Sequence, residues 1–382
     1  MTSPPDSNAI SPPEAAAQAG PDMLTPARAV TRQSSRSSSN DGVSPGAKRS
    51  LGQTLSAKLV TPGALWRVTA VLAILALLRI VAHDATLLLV WVNSFTLYVY
   101  LPAYAVLLCA LVLRRKRLAV VAAGIVACHL AWVGPGFLPA GSLPPHLADA
   151  PTIRIVSANV LFSNDQHEAL IAEIDRHEPD VFVLIEYAHP WREALRGQSM
   201  FKRFPHRIES PRADAFGIAM FSKVPLTDAR IWTIEGLPVA RARVRLGGRD
   251  VEIFGIHPPP PKRSAQLRQS TAFWEVLRAE LKGLPHPVIV VGDFNATVYS
   301  HAYGQLLADG LVSAHQQRGR GFATSWPNGQ TLIPPIRIDH AMFAPELACV
   351  RVCEGRGAGS DHKPIIVDIA APVDASQHSR ED

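Results

Sequence analysis

An apolar run, Pro287 to Val291, gives way to Gly292-Asp293-Phe294-Asn295, which sets a carboxylate and a carboxamide two positions apart where a buried strand stops. Side chains alternate across a strand, so Asp293 and Asn295 are expected on one side, with Phe294 turned into the core. An anionic acceptor and a neutral donor then face one small volume. Other strand ends bring groups of the same kind: Asn159 after Ile153 to Ala158, Glu186 after Val181 to Ile185, and His257 after Val251 to Ile256. Later, Arg337-Ile338-Asp339-His340 and Ser360-Asp361-His362-Lys363-Pro364 add further carboxylates and imidazoles. Groups of these types hold polar reactants and move protons. Each also has a plain structural reading. The Gly-Asp-x-Asn run is an Asx-stabilised bend, Asn159 a turn residue, Glu186 a solvated strand end and His257 a satisfied surface histidine; Asp339-His340 is an edge pair and Asp361-His362 a cap. Jointly, the plain readings need many coincidences.

The elements that must position these groups alternate between strand and helix. Ile153 to Ala158, Val181 to Ile185, Gly217 to Phe221, Ala240 to Leu246, Val251 to Ile256, Val288 to Val291, Ile338 to Phe343 and Ile365 to Ile369 read as strands. Helical spacing occupies Glu168 to Arg176, Ser264 to Leu281 and His301 to Ala308. This is an α/β pattern, and no internal repeat suggests a solenoid.

Upstream, the composition changes twice. Residues 1–60 are rich in Ser, Pro, Ala and Gly and bury too little surface to offset the entropy of ordering, so a disordered tail is expected there, and another at 372–382. Residues 61–140 are dominated by Leu, Val, Ala and aromatics in three stretches, each near the ~20 residues needed to cross a bilayer. Three transmembrane helices are expected, Ala64 to Ala82, Trp91 to Leu113 with a kink at Pro102, and Leu118 to Phe137, followed by a linker at 141–150 and a catalytic domain at 151–371. Arg67 and Arg79 lie close enough to the first span's ends to snorkel. Arg114-Arg115-Lys116-Arg117 separates the second and third stretches, whereas the link around His83-Asp84 carries no Lys or Arg. The basic loop should stay cytoplasmic, which puts the catalytic region on the other face, periplasmic or extracellular, of a multi-pass plasma (inner) membrane protein.

The net charge of +6 over 382 residues sits mostly in the tail and membrane flanks, while residues 151–371 are nearly balanced, so no broad basic face is implied. Of the four cysteines, Cys109 and Cys128 fall in apolar spans. Cys349 and Cys353 flank a strand-like Val-Arg-Val and would lie about 13 Å apart, too far for a disulfide. No Cys/His zinc pattern occurs.

In their order and spacing, Ser157-Ala158-Asn159, Leu184-Ile185-Glu186, Gly255-Ile256-His257, Gly292-Asp293-Phe294-Asn295, Arg337-Ile338-Asp339-His340 and Ser360-Asp361-His362 resemble the endonuclease/exonuclease/phosphatase superfamily, the deoxyribonuclease I-like fold, in a membrane-anchored bacterial form. The resemblance covers Thr152 to Ile369. It extends to Gly217 to Lys223 as the central strand and to Thr324-Ser325-Trp326-Pro327 as the loop before the Arg-Ile-Asp-His motif. It implies an α/β, four-layer α/β/β/α sandwich of two mixed sheets and a divalent-metal-dependent phosphoric ester hydrolase. A hard cation such as Mg²⁺ or Mn²⁺ takes oxygen ligands, which selects Glu186, with Asn159 and Asp361 nearby or bound through water. The resemblance places Asp293 at the attacking water or metal, Asn295 and His257 at phosphate oxygens, and His362 as an acid/base or phosphate donor. Asp339 then fixes the His362 tautomer. Whether Asp293 or His362 takes the water proton stays open.

Departures narrow the reading. Ile185 stands where many relatives have Gln, and Leu161 where abasic-site nucleases carry an acid, which counts against that branch. Pro258 to Pro261 make a stiff exit from His257, as site rim or as plain linker. Tyr187 and Trp326 are candidates for stacking on a base or touching lipid, with core or rim packing the alternative. Three function classes result: a membrane-anchored phosphodiesterase, acting as a nuclease in one form; a phospholipid phosphodiesterase or lipid phosphatase; and a non-catalytic membrane-bound binding domain. The expected partners are a phosphodiester or phosphomonoester, nucleic acid or phospholipid, and the membrane.

Overall fold

The computed structural model describes residues 61–139, 147, 149–329 and 331–373. The tail expected at 1–60, all but the first two residues of the one expected at 372–382, and most of the 141–150 linker lie outside the described residues. Two sheets of six strands face each other. The first holds β1 (Thr152–Asn159), β2 (Val181–Ile185), β3 (His206–Ser210), β4 (Ile218–Ser222), β11 (Ala348–Glu354) and β12 (Ile365–Ala370), in the order β11-β12-β1-β2-β4-β3. The second holds β5 (Thr227–Ile234), β6 (Leu237–Leu246), β7 (Arg249–Ile256), β8 (Val288–Asp293), β9 (Val312–Ser313) and β10 (Asp339–Phe343), in the order β5-β6-β7-β8-β10-β9. Each sheet is mixed, with one parallel pair at its centre: β1 with β2, and β7 with β8.

Because both faces of the central strands are covered, their sequences read as continuous apolar runs rather than alternations. Val183 and Ile185 of β2 point between the sheets with Ile155, Ile253 and Val291, whereas Phe182 and Leu184 point outward. There they meet Leu170 of α6 (His167–Arg176) and Trp191 of α7 (His189–Arg196), with Phe204 just beyond α8 (Ser199–Arg203). On the far side, Phe254 and Val290 pack against Phe273, Trp274 and Leu277 of α9 (Ser264–Lys282) and Leu306 of α10 (His301–Ala308). A short α11 (Ala314–Gln317) follows β9. Each fully buried large side chain contributes about 1.5–3 kcal/mol, and the three apolar layers fix the four-layer sandwich. Strands β3, β5 and β9 have no counterpart in the sequence reading: they lie at sheet edges, and β5 is largely exposed in its first half.

The apolar region ahead of the sandwich forms α1 (Pro62–Val81), α2 (Leu87–Ser94), α3 (Thr96–Val99), α4 (Leu101–Val112) and α5 (Lys116–Val133). Two stretches, Pro62–Val81 and Lys116–Gly136, are long and apolar enough to cross a membrane, with mean hydropathies of 2.1 and 1.9. The middle stretch corrects the expectation of three equivalent spans. It is bent by 73° between Leu87–Ser94 and Thr96–Val112. The break falls at Phe95, not at Pro102, which opens α4 where a missing N–H costs nothing. Polar side chains compete for the backbone there. Ser94 Oγ donates to Val90 O at 2.8 Å, Thr96 Oγ1 to Asn93 O at 2.7 Å, and Asn93 Nδ2 to both His83 O and Asp84 Oδ1.

This segment touches the sandwich directly. Asp84 Oδ2 accepts from His301 N at 2.6 Å, the His83 and His301 rings stack at 4.4 Å, and Tyr98 OH donates to Pro335 O at 2.7 Å. Arg79 does not stand free at a span end: its guanidinium lies over Trp132 and donates to Thr96 Oγ1, joining α1 to α5 and the start of α3.

Candidate active site

Pairing within the two sheets brings the chemistry-bearing strand ends together. Asn159 pairs with Ile185, so Glu186 leaves β2 beside the end of β1. Ile256 pairs with Gly292, which sets His257 beside Asp293, and Asp293 pairs with Asp339 on β10. Gly292 is required by this approach. It sits at φ +151°, and a Cβ there would lie 2.1 Å from Ile256 O. Each side chain is then held by the turn that follows its strand. Glu186 has φ +62° and accepts from Phe162 N at 3.1 Å. Ser360 Oγ donates to Asn159 O and accepts from His362 N, tying the last motif to the end of β1. Ser325 Oγ accepts from the backbone N–H of both Ile338 and Asp339, which fixes the start of β10.

At the centre, His362 Nδ1 lies 2.8 Å from Asp339 Oδ2, and His362 Nε2 lies 3.7 Å from Asp293 Oδ2. His257 Nε2 approaches the same Asp293 oxygen at 3.5 Å, and Asn159 Nδ2 donates to it at 3.1 Å. All of these residues are buried. Burial alone would raise the Asp293 carboxyl, but His362, His257 and the Asn295 N–H outweigh it and hold the group down at about 2. Burial opposes charge on His362 as well, yet Asp339, Asp293 and Asp361 push it up to about 10. The Asp339–His362 pair therefore keeps its proton at neutral pH while Asp293 stays ionised.

The sequence-derived residues fall into distinct positions. Glu186, His257, Asp293, Asn295, Asp361 and His362 line one cleft of about 210 Å³. Asp361 Oδ2 accepts from Trp326 Nε1 at 3.1 Å. Asn295 departs from the alternation argument, because β8 ends at Asp293 and alternation stops with it. Asn295 takes φ +47°, its N–H caps Asp293 Oδ1, and its side chain donates to Pro258 O, so the Asx bend and the site are the same structure. Phe294 is buried as expected. Asn159 also departs from its expected place at a metal: its oxygen accepts from Leu161 N, and its Nδ2, a donor, faces Glu186 Oε1 and Asp293 Oδ2. An N–H₂ group repels a cation, so Asn159 fits as a clamp on two carboxylates. Tyr187 is core, its hydroxyl bonded to Glu209, whereas Trp326 is on the cleft rim.

A divalent cation such as Mg²⁺ takes carboxylate oxygens, and the donor set fits one: Glu186 and Asp361 both face the cleft, beside the ionised Asp293. Asp293, Asp339 and His362 also offer ligand atoms within 4.8 Å of one another. That trio already bonds internally and includes an imidazole, which suits a proton-handling group better than a hard cation.

The sequence profile of the Endonuclease/Exonuclease/phosphatase family matches residues 156–362, more than half of the chain. The chain belongs to that family. The chain is accordingly a phosphoric ester hydrolase, and the matched segment opens inside β1, three residues before Asn159, and closes on His362. Among solved structures, it is similar to D. rerio TDP2 complexed with single strand DNA product, at 19% identity over 58% of this chain and 99% of that one, with a TM-score of 0.49. It is also similar to the 3'-5' exonuclease NExo from Neisseria meningitidis, at 19% identity over 56% of this chain and 98% of that one, TM-score 0.47. A third, an endonuclease/exonuclease/phosphatase from Beutenbergia cavernae, is 16% identical over 58% of this chain and 72% of that one, TM-score 0.46. No curated protein sequence matches the chain.

Sequence reasoning did not single out two groups of residues. Ser325 and Ser360 appeared only inside motifs, although their hydroxyls hold Asp339 and His362 in place. Val90, Trp91, Ser94 and Phe95 form one wall of the cleft from within the apolar region. No local signal could have assigned them, because they meet the site only through the fold.

Proposed function

We propose that this family member is a membrane-anchored, divalent-metal-dependent phosphodiesterase whose catalytic domain lies outside the cytoplasm. The observation that carries the catalytic reading is the chain of contacts Asp339–His362–Asp293 beside Glu186. Asp339 occupies His362 Nδ1, which leaves Nε2 as the ring nitrogen that faces the cleft and Asp293. Nε2 then donates a proton to the leaving or phosphoryl oxygen. Asp293, ionised and clamped by Asn159 and the Asn295 N–H, orients the attacking water and accepts the proton it loses as its oxygen bonds to phosphorus and the P–O bond to the leaving alcohol breaks. His257 and the second N–H of the Asn295 amide face phosphate oxygens. Glu186 and Asp361 would hold a divalent cation, Mg²⁺ or Mn²⁺, which would supply Lewis-acid polarisation of the phosphoryl group.

The anchoring reading rests on the two long apolar helices, with Thr96–Val112 as a third crossing. The His83–Asp84 link touches the catalytic domain at His301, while Arg114 to Arg117 sits at the opposite end of α4. That separation agrees with a cytoplasmic basic loop and an external catalytic domain.

Full-length protein in detergent, offered bis-p-nitrophenyl phosphate with Mg²⁺, is expected to release nitrophenol. Chelator should abolish turnover, and Asp293→Ala should lower it at least about 100-fold. Turnover that ignores chelator, or survives intact in the variant, overturns the mechanism. Reporter fusions after Leu113 and after Pro151 test topology, and a cytoplasmic signal from the second removes the export reading.

A further inference from the structure

The wall of the cleft made by α2 belongs to neither sheet. Helix α2 turns 73° away from Thr96–Val112 and lies across the mouth of the site, presenting Val90 and Trp91, with Phe95 at the break, to the same space as Asp293 and His362. Its other face is apolar and exposed at Leu88, which is 70% accessible, and Trp91 itself is 44% accessible. Apolar side chains therefore lead from the cleft at Val90, Trp91 and Phe95 to exposed Leu88 and, beyond the bend, to exposed Leu101 and Leu108, with Ser94 the one polar α2 residue on the cleft wall. The catalytic domain exposes apolar side chains of its own. Phe162, whose N–H holds Glu186, is 42% accessible, and Leu332 and Ile333 are exposed just before Pro335, the residue bound by Tyr98.

We infer that the substrate is an amphiphile, a phosphoric ester carried on a lipid tail, with its phosphate at His257, Asp293 and His362 and its hydrocarbon along α2. The inference rests on the phosphodiesterase reading above and narrows it. Continuity with the apolar helices identifies the occupant, since a bilayer lipid is the one substrate that arrives along such a surface. Charge points the same way. Among the described residues lining the cleft, Lys262 is the single Lys or Arg, whereas a polynucleotide groove needs a row of cations to track successive phosphates.

The test uses full-length protein, Mg²⁺ and p-nitrophenyl phosphodiesters that share one leaving group and differ in the second alcohol: methyl, butyl, octyl, and thymidine. A fully buried methylene favours binding about fourfold, so a half-open groove should raise kcat/KM at least about tenfold from methyl to octyl, below the micelle concentration of the ester. Trp91→Glu, at a half-exposed position, should bring the octyl-to-methyl ratio toward one. A flat alkyl series, a ratio unmoved by Trp91→Glu, or a thymidine ester preferred over octyl overturns the lipid inference and leaves the phosphodiesterase reading standing. No turnover of any ester defeats both, beginning with the phosphodiesterase reading.

Discussion

Asp339→Asn isolates the charge behind His362. Asparagine keeps the shape of the side chain and its Oδ1 still accepts from His362 Nδ1, while its Nδ2 sits near Ser325 Oγ, whose two acceptor sites are already taken by the Ile338 and Asp339 N–H groups. What is lost is a carboxylate 2.8 Å from the imidazole. At an effective dielectric of about 20, that attraction is at most about 6 kcal/mol. Desolvation of two buried groups takes back part of it. A positioned acid–base group contributes about 10²–10⁴-fold, which is about 3–5 kcal/mol of barrier and fits inside that ceiling. The expected result is a fall in kcat by that factor for bis-p-nitrophenyl phosphate at saturating Mg²⁺, with KM little changed. The pH profile should move as well. His362 is held up at about 10 chiefly by Asp339, so the alkaline limb of kcat should shift to lower pH in the variant. A kcat within threefold of wild type, with an unshifted alkaline limb, would refute the assignment of Asp339 as the group that orients and charges His362.

Gly292→Ala should be severe although it changes no functional group, because the new Cβ meets Ile256 O at 2.1 Å in a backbone region that disfavours side chains. Parting β7 from β8 is expected to cost about 3 kcal/mol or more, read as a large drop in thermal midpoint; an unchanged midpoint would show that the pair has slack. Acid stability gives a test away from the site. Burial opposes ionisation of Glu354, but its bond to His315 and the nearby Arg320 hold it at about 2. His315, pulled down to about 4 by burial and by Arg337, is neutral at pH 7, so Arg320 supplies the attracting charge. A carboxyl with a depressed folded pKa contributes stability above its unfolded value of 4.5 and loses it as pH falls toward about 2. Thermal midpoints between pH 6 and pH 2 should therefore fall less steeply for Glu354→Gln than for wild type, and parallel curves would contradict the assignment.

The sequence by itself determined which candidate groups stand at the strand ends that meet and what kind of fold holds them. Short β-branched runs such as Val181–Ile185 and Val288 to Val291 favour strands covered on both faces, and the polar residue that follows each run stands where the strand ends. The ordered motifs then identified the family. Local pattern could not go further, because it records what a residue does to its neighbours in the chain and not what crosses between elements. Edge strands β3 and β5 lack a full apolar signature, since only their partners define them. The amide of Asn159 turned out to clamp two carboxylates, and Asn295 to lie beyond the end of its strand, because turns and not strand alternation set those rotamers. The break at Phe95 depends on Asn93, Ser94 and Thr96 finding backbone partners. Only the tertiary structure decided that α2, an apolar stretch read from its composition as part of a span, lies across the catalytic cleft, because that position is fixed by contacts at His301 and Pro335, more than two hundred residues away in the chain.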